Sequence, residues 1–163
     1  MYKDIFKALS PDQYDQLKEA LELITVLIAG ADGHIDEQEL NWAEKLTSIR
    51  SYAKPEELNI FYGDVEAAFS KKLVQLINDL PDSIDERQAI ISDRLAVLND
   101  ILPKLDNKIG HQLYKSFTSF AKHIAKASGG FLRFGSISTA EKKWVHLPMI
   151  EPIILEDLSD EEE

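Results

Sequence analysis

Apolar residues recur along this chain at intervals of three and four, and this spacing constrains the fold more than any other feature. Leu17, Leu21, Ile24 and Ile28 follow at spacings of four, three and four, as residues on one face of a helix do. No segment alternates apolar and polar residues over a length that predicts a sheet. The pattern therefore predicts an all-α fold, a compact bundle of about seven helices.

Capping residues and prolines mark where these helices begin and end. Ser10 and Ser83 each stand three residues before a Gln or Glu, which is the capping-box pattern of a helix start. Apolar residues on both sides of the first helix near its end place it at the centre of the bundle. The predicted helices run from Pro11 to Gly33, from Asp36 to about Tyr52, over 56–80 as one helix or as two with a break near Gly63, from Ser83 to Pro103, over 106–128 and over 139–147.

Length and composition are those of one soluble globular domain, which we place at residues 1–147, followed by an acidic tail at residues 148–163. The chain has no cysteine, which excludes disulfides, thiolate metal sites and cysteine nucleophiles. The N-terminal residues lack a basic region followed by an apolar run, and the longest nearly apolar run covers only residues 23–31. We therefore expect a cytoplasmic protein that is not integral to a membrane.

Charge is segregated along the chain, whose net charge is −11. Residues 104–146 carry 8 basic and 2 acidic side chains, whereas residues 147–163 carry 7 acidic side chains and no basic one. A strongly acidic protein is repelled by nucleic acid, so we expect no nucleic-acid partner. The basic segment can still meet an acidic protein partner or the chain's own tail.

The basic segment forms one face of the predicted helix over residues 106–128. Two interpretations of that face stay open: a solvated surface opposite a core-packed one, or a binding surface for an acidic partner. Helical geometry aligns its members within roughly a 60° arc, and they are Lys108, His111, Lys115, Lys122 and Lys126.

The segment GADGHIDEQEL at residues 30–40 resembles the second half of an EF-hand loop but lacks two of its early ligands. Capping explains it: Gly33 takes the left-handed conformation that ends a helix, Asp36 caps the next helix, and Glu39 reaches back to the cap. The alternative is a weak, solvent-open site for Ca²⁺ or Mg²⁺ formed by Asp32, Asp36 and Glu39.

A second segment, RFGSISTAEKKW at residues 133–144, repeats the skeleton Gly-x-Ile-[Asp/Ser]-x-x-Glu. Ser138 and Glu141 are expected to form the same cap as in the first copy. Trp42 and Trp144 each follow the glutamate of their copy by three residues, which predicts matched core positions.

These two elements, with HIAKASGG before the second one, resemble the TerB-like tellurite-resistance family over roughly residues 14–147. The resemblance implies two pseudo-repeated helical halves, and the family's acidic loop residues map to Asp32, Asp36 and Glu39. Phe134 and Ser138 replace the aspartates in the second half, so a metal would bind one repeat only. The resemblance further implies a role in tellurite and other stress responses, membrane-linked complexes, and a scaffold domain rather than an enzyme.

The leading functional prediction is thus a non-catalytic helical scaffold that binds a partner protein. The alternative is a small-molecule enzyme with a carboxylate and histidine site on the first loop, where His34 lies beside Asp32 and Asp36. The sequence contains no phosphate-binding Gly-rich loop, no nucleophile elbow and no His-Glu-x-x-His motif.

Overall fold

The computed structural model describes residues 5–33, 35, 37–53, 55–127 and 139–156. No residue in these ranges belongs to a β-strand, so the predicted all-α helical bundle is confirmed. None of the helices described is both long and apolar enough to cross a membrane. The helices bounded within these ranges are α1 (Pro11–Ala29), α2 (Glu37–Arg50), α3 (Asn59–Asp79), α4 (Ile84–Ala96), α5 (Leu98–Ile101), α6 (Asn107–Ala127) and α7 (Thr139–Lys142).

Helix α1 lies at the centre of the bundle, as its apolar sequence predicts. It contacts α2, α3, α4, α5 and α6, and every residue from Ala20 to Ala29 is buried. Each fully buried Leu or Ile contributes about 1.5–3 kcal/mol to the free energy of unfolding. Two polar residues, Glu22 and Thr25, lie within this buried stretch. The Thr25 hydroxyl donates to the Leu21 carbonyl at 2.7 Å, whereas Glu22 has different surroundings, described below.

Both capping serines stand at helix starts as predicted, but only Ser10 forms a complete capping box. Ser10 Oγ accepts a hydrogen bond from the Gln13 amide at 3.1 Å, and Gln13 Oε1 accepts one from the Ser10 amide at 3.0 Å. Ser83 Oγ accepts a longer bond of 3.5 Å from the Glu86 amide. The predicted caps at Asp36 and Ser138 lie outside the described residues.

Helix α3 is continuous through Gly63, so of the two alternatives for residues 56–80 the single helix is correct and the break near Gly63 is wrong. A glycine inside a helix costs only about 1 kcal/mol relative to alanine. That cost is outweighed by the burial of Phe61, Tyr62, Val65 and Phe69, which surround Gly63 in sequence and lie in the core.

The helix that begins after Ser83 ends close to the predicted position. Helix α4 is followed by one residue in a turn, the short α5 and a 3-10 turn at Leu102–Lys104, which contains Pro103. Proline has no amide hydrogen and cannot continue the α-helical hydrogen bonds, which accounts for the tighter final turn.

The last helix is shorter than the predicted span of 139–147. Helix α7 ends at Lys142, and hydrogen bonds from the Trp144 and Val145 amides to the Glu141 carbonyl form the turns that follow. Leu147, before Pro148, has a φ of 49° and a fully buried side chain. Burial of that side chain offsets the cost of its left-handed backbone.

The chain after α7 docks against the junction of α5 and α6 rather than extending into solvent. Asn99 donates to the Met149 carbonyl at 3.0 Å and accepts from the Glu151 amide at 2.8 Å. Asn107 holds the next part in the same way, since it donates to the Ile154 carbonyl at 3.0 Å and accepts from the Glu156 amide at 2.8 Å. The tail is therefore held against the bundle as far as Glu156.

The pseudo-repeat cannot be traced through its second loop, because residues 128–138 lie outside the described part of the chain. The two tryptophans can be compared. Both are half-buried, and Trp144 packs against the core. Trp42 lies outside the core, so the expectation of matched core positions is wrong for this residue. Its ring lines a surface cleft instead.

Candidate functional site

The first Asp-Gly loop is anchored by the body of the protein. Helix α1 ends at Ala29, four residues before the predicted end, and Gly33 follows in a turn with the predicted left-handed conformation (φ of 90°). The buried Arg87 of α4 donates to the Gly30 carbonyl at 2.9 Å. A Cβ at Gly30 would lie 2.9 Å from the same guanidinium nitrogen and 3.0 Å from the Val26 carbonyl oxygen, so a larger residue here would displace Arg87 from this bond. The loop therefore packs the C-terminal end of α1 against α4. The guanidinium of Arg87 lies at this end of α1, where the helix dipole favours a cation.

The three residues predicted as metal ligands are only partly described. Asp32 is exposed and Glu39 is buried, with 2% of its surface accessible, while Asp36 and the neighbouring His34 lie outside the described residues. Among the described residues, no three His, Asp or Glu side chains are grouped as metal ligands. A Ca²⁺ or Mg²⁺ site that includes Asp36 therefore stays a prediction.

Helix α6 separates an apolar face from a basic one, as the sequence predicts. Its apolar residues are all buried in the core, and they are Ile109, Leu113, Phe117, Phe120 and Ile124. Four of the five predicted partner-binding residues are exposed, and they are Lys108, Lys115, Lys122 and Lys126. The fifth, His111, is half-buried.

The structure divides these five residues into two groups. Lys108 Nζ lies 3.8 Å from Glu57 Oε1, and His111 Nδ1 lies 2.6 Å from the Ile153 carbonyl, so both contact the protein itself. Among the described residues the second group has no such ion pair, and we call it the lysine face: Lys115, Lys122 and Lys126. Within the described ranges, no carboxylate lies within 4.0 Å of any of the three amines.

Arg50, at the end of α2, adds a positive charge beside the lysine face. Its Nη1 donates to Tyr62 Oη at 3.0 Å and to the carbonyl and Oγ of Ser116 at 2.7 and 2.9 Å. Its Nη2 donates to Ser119 Oγ at 3.1 Å. These acceptors are neutral, and no carboxylate of the described chain lies within 4.0 Å of the guanidinium. The charge of Arg50 is therefore held in place but not neutralised.

Aromatic rings enclose this guanidinium. Arg50 Cζ lies 5.5 Å from the ring centroid of Tyr62 and 5.4 Å from that of Phe120, within cation–π range. Tyr62 is fully buried and hydrogen-bonds to Ser116. Burial raises the pKa of the Tyr62 hydroxyl, and the Arg50 charge and the hydrogen bonds act in the opposite direction. Tyr62 is consequently a neutral acceptor for Arg50 at physiological pH.

A cleft of about 310 Å³ lies at the C-terminal end of the lysine face, between α2 and α6. It is lined by Trp42, His123, Lys126 and Ala127. Lys45 Nζ lies 5.6 Å from the Trp42 ring centroid. Partial burial lowers the pKa of His123, and Arg50 and Lys126 lower it further. The cleft thus combines an aromatic wall with surrounding cations.

Comparison with family models, with curated proteins and with solved structures finds no match to this chain. The TerB-like resemblance therefore stays a prediction, and functional inference has to come from the geometry. Sequence reasoning located the lysine face but missed Arg50 and the cleft at Trp42. The one available signal was the spacing of Trp42, which we interpreted as a core position.

Proposed function

We propose that the protein is a non-catalytic interaction domain in which the lysine face binds an acidic segment of a partner protein. The observation that carries this proposal is the absence of an acidic neighbour, within the described ranges, for Lys115, Lys122 and Lys126. Lys122 and Lys126 are four residues apart, and like charges at that spacing on a helix repel each other by about 0.2–0.5 kcal/mol. An acidic segment laid along α6 would relieve this repulsion.

The surroundings of the lysine face favour a protein ligand. Arg50 supplies a fixed cation beside the face, and the Trp42 cleft supplies apolar surface at its end. Aromatic and arginine side chains are enriched where proteins bind one another. The net charge of −11 opposes the long-range approach of every polyanion, and it does so most strongly for nucleic acid and anionic membranes, which carry far more charge than one acidic protein segment.

The first loop supports a structural role more than the alternative enzyme site. Arg87 and Gln88 of α4 donate to the Gly30 and Ala31 carbonyls, at 2.9 and 3.4 Å. These contacts give hydrogen-bond donors to carbonyl groups that follow the last turn of α1, where a helix leaves such groups without partners. We further propose that the scaffold acts in a stress response of the TerB-like type, which rests on the sequence resemblance alone.

Reversing two charges of the lysine face should strongly weaken partner capture while leaving the domain folded. In the variant Lys115→Glu with Lys122→Glu, attraction to an acidic segment becomes repulsion, so we expect at least a roughly tenfold loss of affinity. The matched control is Lys71→Glu with Lys104→Glu, which reverses two exposed lysines outside α6. Capture from an extract of the native cells, quantified by mass spectrometry at low and high salt, measures the effect.

Capture at several salt concentrations distinguishes a partner that binds through the lysine face from a lysine face that is only solvated. Added salt should release the partner from the wild-type protein, because exposed charges are screened over about 10 Å at 0.1 M. Thermal unfolding of each variant checks the fold. A chain lacking residues 157–163 separates an external partner from the tail, since capture should then persist or increase. Equal capture by the reversed variant, with unchanged salt dependence, would show that the lysine face is only solvated.

A further inference from the structure

A second polar site lies between α1, α3 and α4 and shares no residue with the lysine face or the Trp42 cleft. It is a cleft of about 230 Å³. This volume is smaller than the roughly 300–1,000 Å³ of sites for drug-sized molecules, so it suits a small ligand. Its polar lining residues are Glu19, Glu22, Lys72, Gln75, Asp79 and Arg94.

Glu22 is the unusual member of this cleft. Only 2% of its surface is accessible, and it belongs to the continuously buried part of α1. Its Oε2 is fully enclosed, and no group in the described part of the chain donates a hydrogen bond to that atom. A buried carboxylate oxygen without a donor destabilises the fold, and an apolar residue at this position would avoid the cost. Glu22 therefore brings to the lining of this cleft a carboxyl oxygen that lacks a donor among the described residues.

The lining of the cleft has more carboxylates than cations. Arg94 Nη1 lies 3.6 Å from Glu19 Oε1, so this cation is already engaged at the mouth of the cleft. Burial raises the pKa of Glu22 to about 7, and a backbone hydrogen bond to its carboxyl and the charge of the exposed Lys72 only partly offset this effect. Asp79, also exposed, contributes a further carboxylate. The lining carboxylates are not grouped as metal ligands among the described residues, which favours an organic cation.

We propose that this cleft binds a small molecule carrying a protonated primary amine, with Glu22 as the buried acceptor. An ammonium group has three donors and no acceptor, which matches an enclosed carboxylate oxygen that lacks a donor. A charge-assisted hydrogen bond is stronger in a site that excludes water than in solvent. Gln75 and Asp79 would offer the ligand further acceptors near the mouth.

The test uses the full chain and three primary amines of increasing size: methylammonium, butylammonium and 1,4-diammoniobutane chloride. NMR titration should show saturable shifts in the backbone resonances of α1, α3 and α4 around the cleft. Binding should also lower the pKa of the Glu22 carboxyl from about 7 to about 6, because a tenfold preference of the cation for the ionised form equals one pH unit. The variant Glu22→Gln, which removes the charge at constant size, should lose at least about tenfold in affinity.

Controls assign any shift to the proposed contact. Glu66→Gln neutralises an exposed carboxylate of α3 that does not line the cleft, and it should bind the amines as the wild type does. Butanol, which has the same chain without the charge, should produce no saturable shift. The Glu22 titration in the wild type is independent of how the variant folds. Failure of all three amines, equal binding by Glu22→Gln, or an unchanged Glu22 pKa with amine present would overturn the proposal and leave the lysine-face proposal untouched.

Discussion

At pH 8 the Glu22→Gln variant is expected to be more stable than the wild-type protein by up to about 3 kcal/mol. Folding raises the pKa of the Glu22 carboxyl from 4.5 to about 7, and each pH unit of that rise lowers the free energy of unfolding by about 1.36 kcal/mol once the carboxyl is ionised. Burial is the main cause of the raised pKa. The amide fills the same space without a charge. Urea unfolding at a series of pH values measures the difference.

The sign of the pH dependence follows from the direction of the shift. The folded protein holds the Glu22 proton more tightly than the unfolded chain, so this residue's stabilising contribution is complete below pH 4.5 and is lost as pH rises through about 7. The advantage of Glu22→Gln should therefore be smallest below pH 4.5 and reach a plateau above about pH 8. A difference between the two proteins that does not change with pH would contradict the buried, ionisable role of Glu22. Glu66→Gln serves as the exposed control.

Replacing Arg50 by alanine is expected to lower the free energy of unfolding by about 3 kcal/mol. Hydrogen bonds to a charged group contribute about 1.5–3 kcal/mol, and each cation–π contact adds about 0.5–1 kcal/mol. The substitution removes four hydrogen bonds and two aromatic contacts that join α2 to α3 and α6. Arg50→Lys should recover less than half of the loss, because an ammonium cannot reproduce the planar fork.

The matched control for Arg50 is Arg94→Ala. Arg94 is exposed and makes one ion pair of 3.6 Å with Glu19, so its removal should cost no more than about 0.5–1 kcal/mol. Urea unfolding of the three variants at one pH compares them directly. Equal losses for Arg50→Ala and Arg94→Ala would show that the Arg50 network contributes little to the packing of α2 on α6.

Features encoded within a few residues were predictable from the sequence. The caps at Ser10 and Ser83 act on amides three residues away, and the two faces of α6 follow from helical geometry alone. Gly63 shows the limit of such local signals, because the buried aromatic residues of α3 outweigh the weak helix propensity of glycine.

Features that depend on partners distant in sequence were not predictable. Arg50 bonds to Ser116 and Ser119, 66 and 69 positions further along the chain, and nothing near Arg50 in sequence indicates these acceptors. Arg87 reaches Gly30 across 57 positions. Glu22 reads as an ordinary polar residue of a helix until α3 and α4 are seen to enclose it. Its burial is a property of the packed bundle.

The two proposed sites relate stability to binding in different ways. The lysine face is exposed, so its charges affect folding little and association strongly. Glu22 is enclosed, so its ionisation destabilises the free protein, and a bound ammonium would restore that free energy by stabilising the folded state. A residue that lowers stability yet occupies the wall of a cleft is what a binding site commonly shows.

Zero-length cross-linking tests the central claim, that the lysine face binds an acidic segment of another protein, most directly. A water-soluble carbodiimide joins an amine to a carboxylate that contacts it, so the linked residues identify both surfaces. Applied to the protein in extracts of its native cells at low salt, it should join Lys115, Lys122 and Lys126 to aspartate or glutamate residues of a partner, and high salt should suppress these links. Intermolecular links that arise mainly from Lys71 and Lys104, or a lysine face linked only to carboxylates of its own chain, would contradict it.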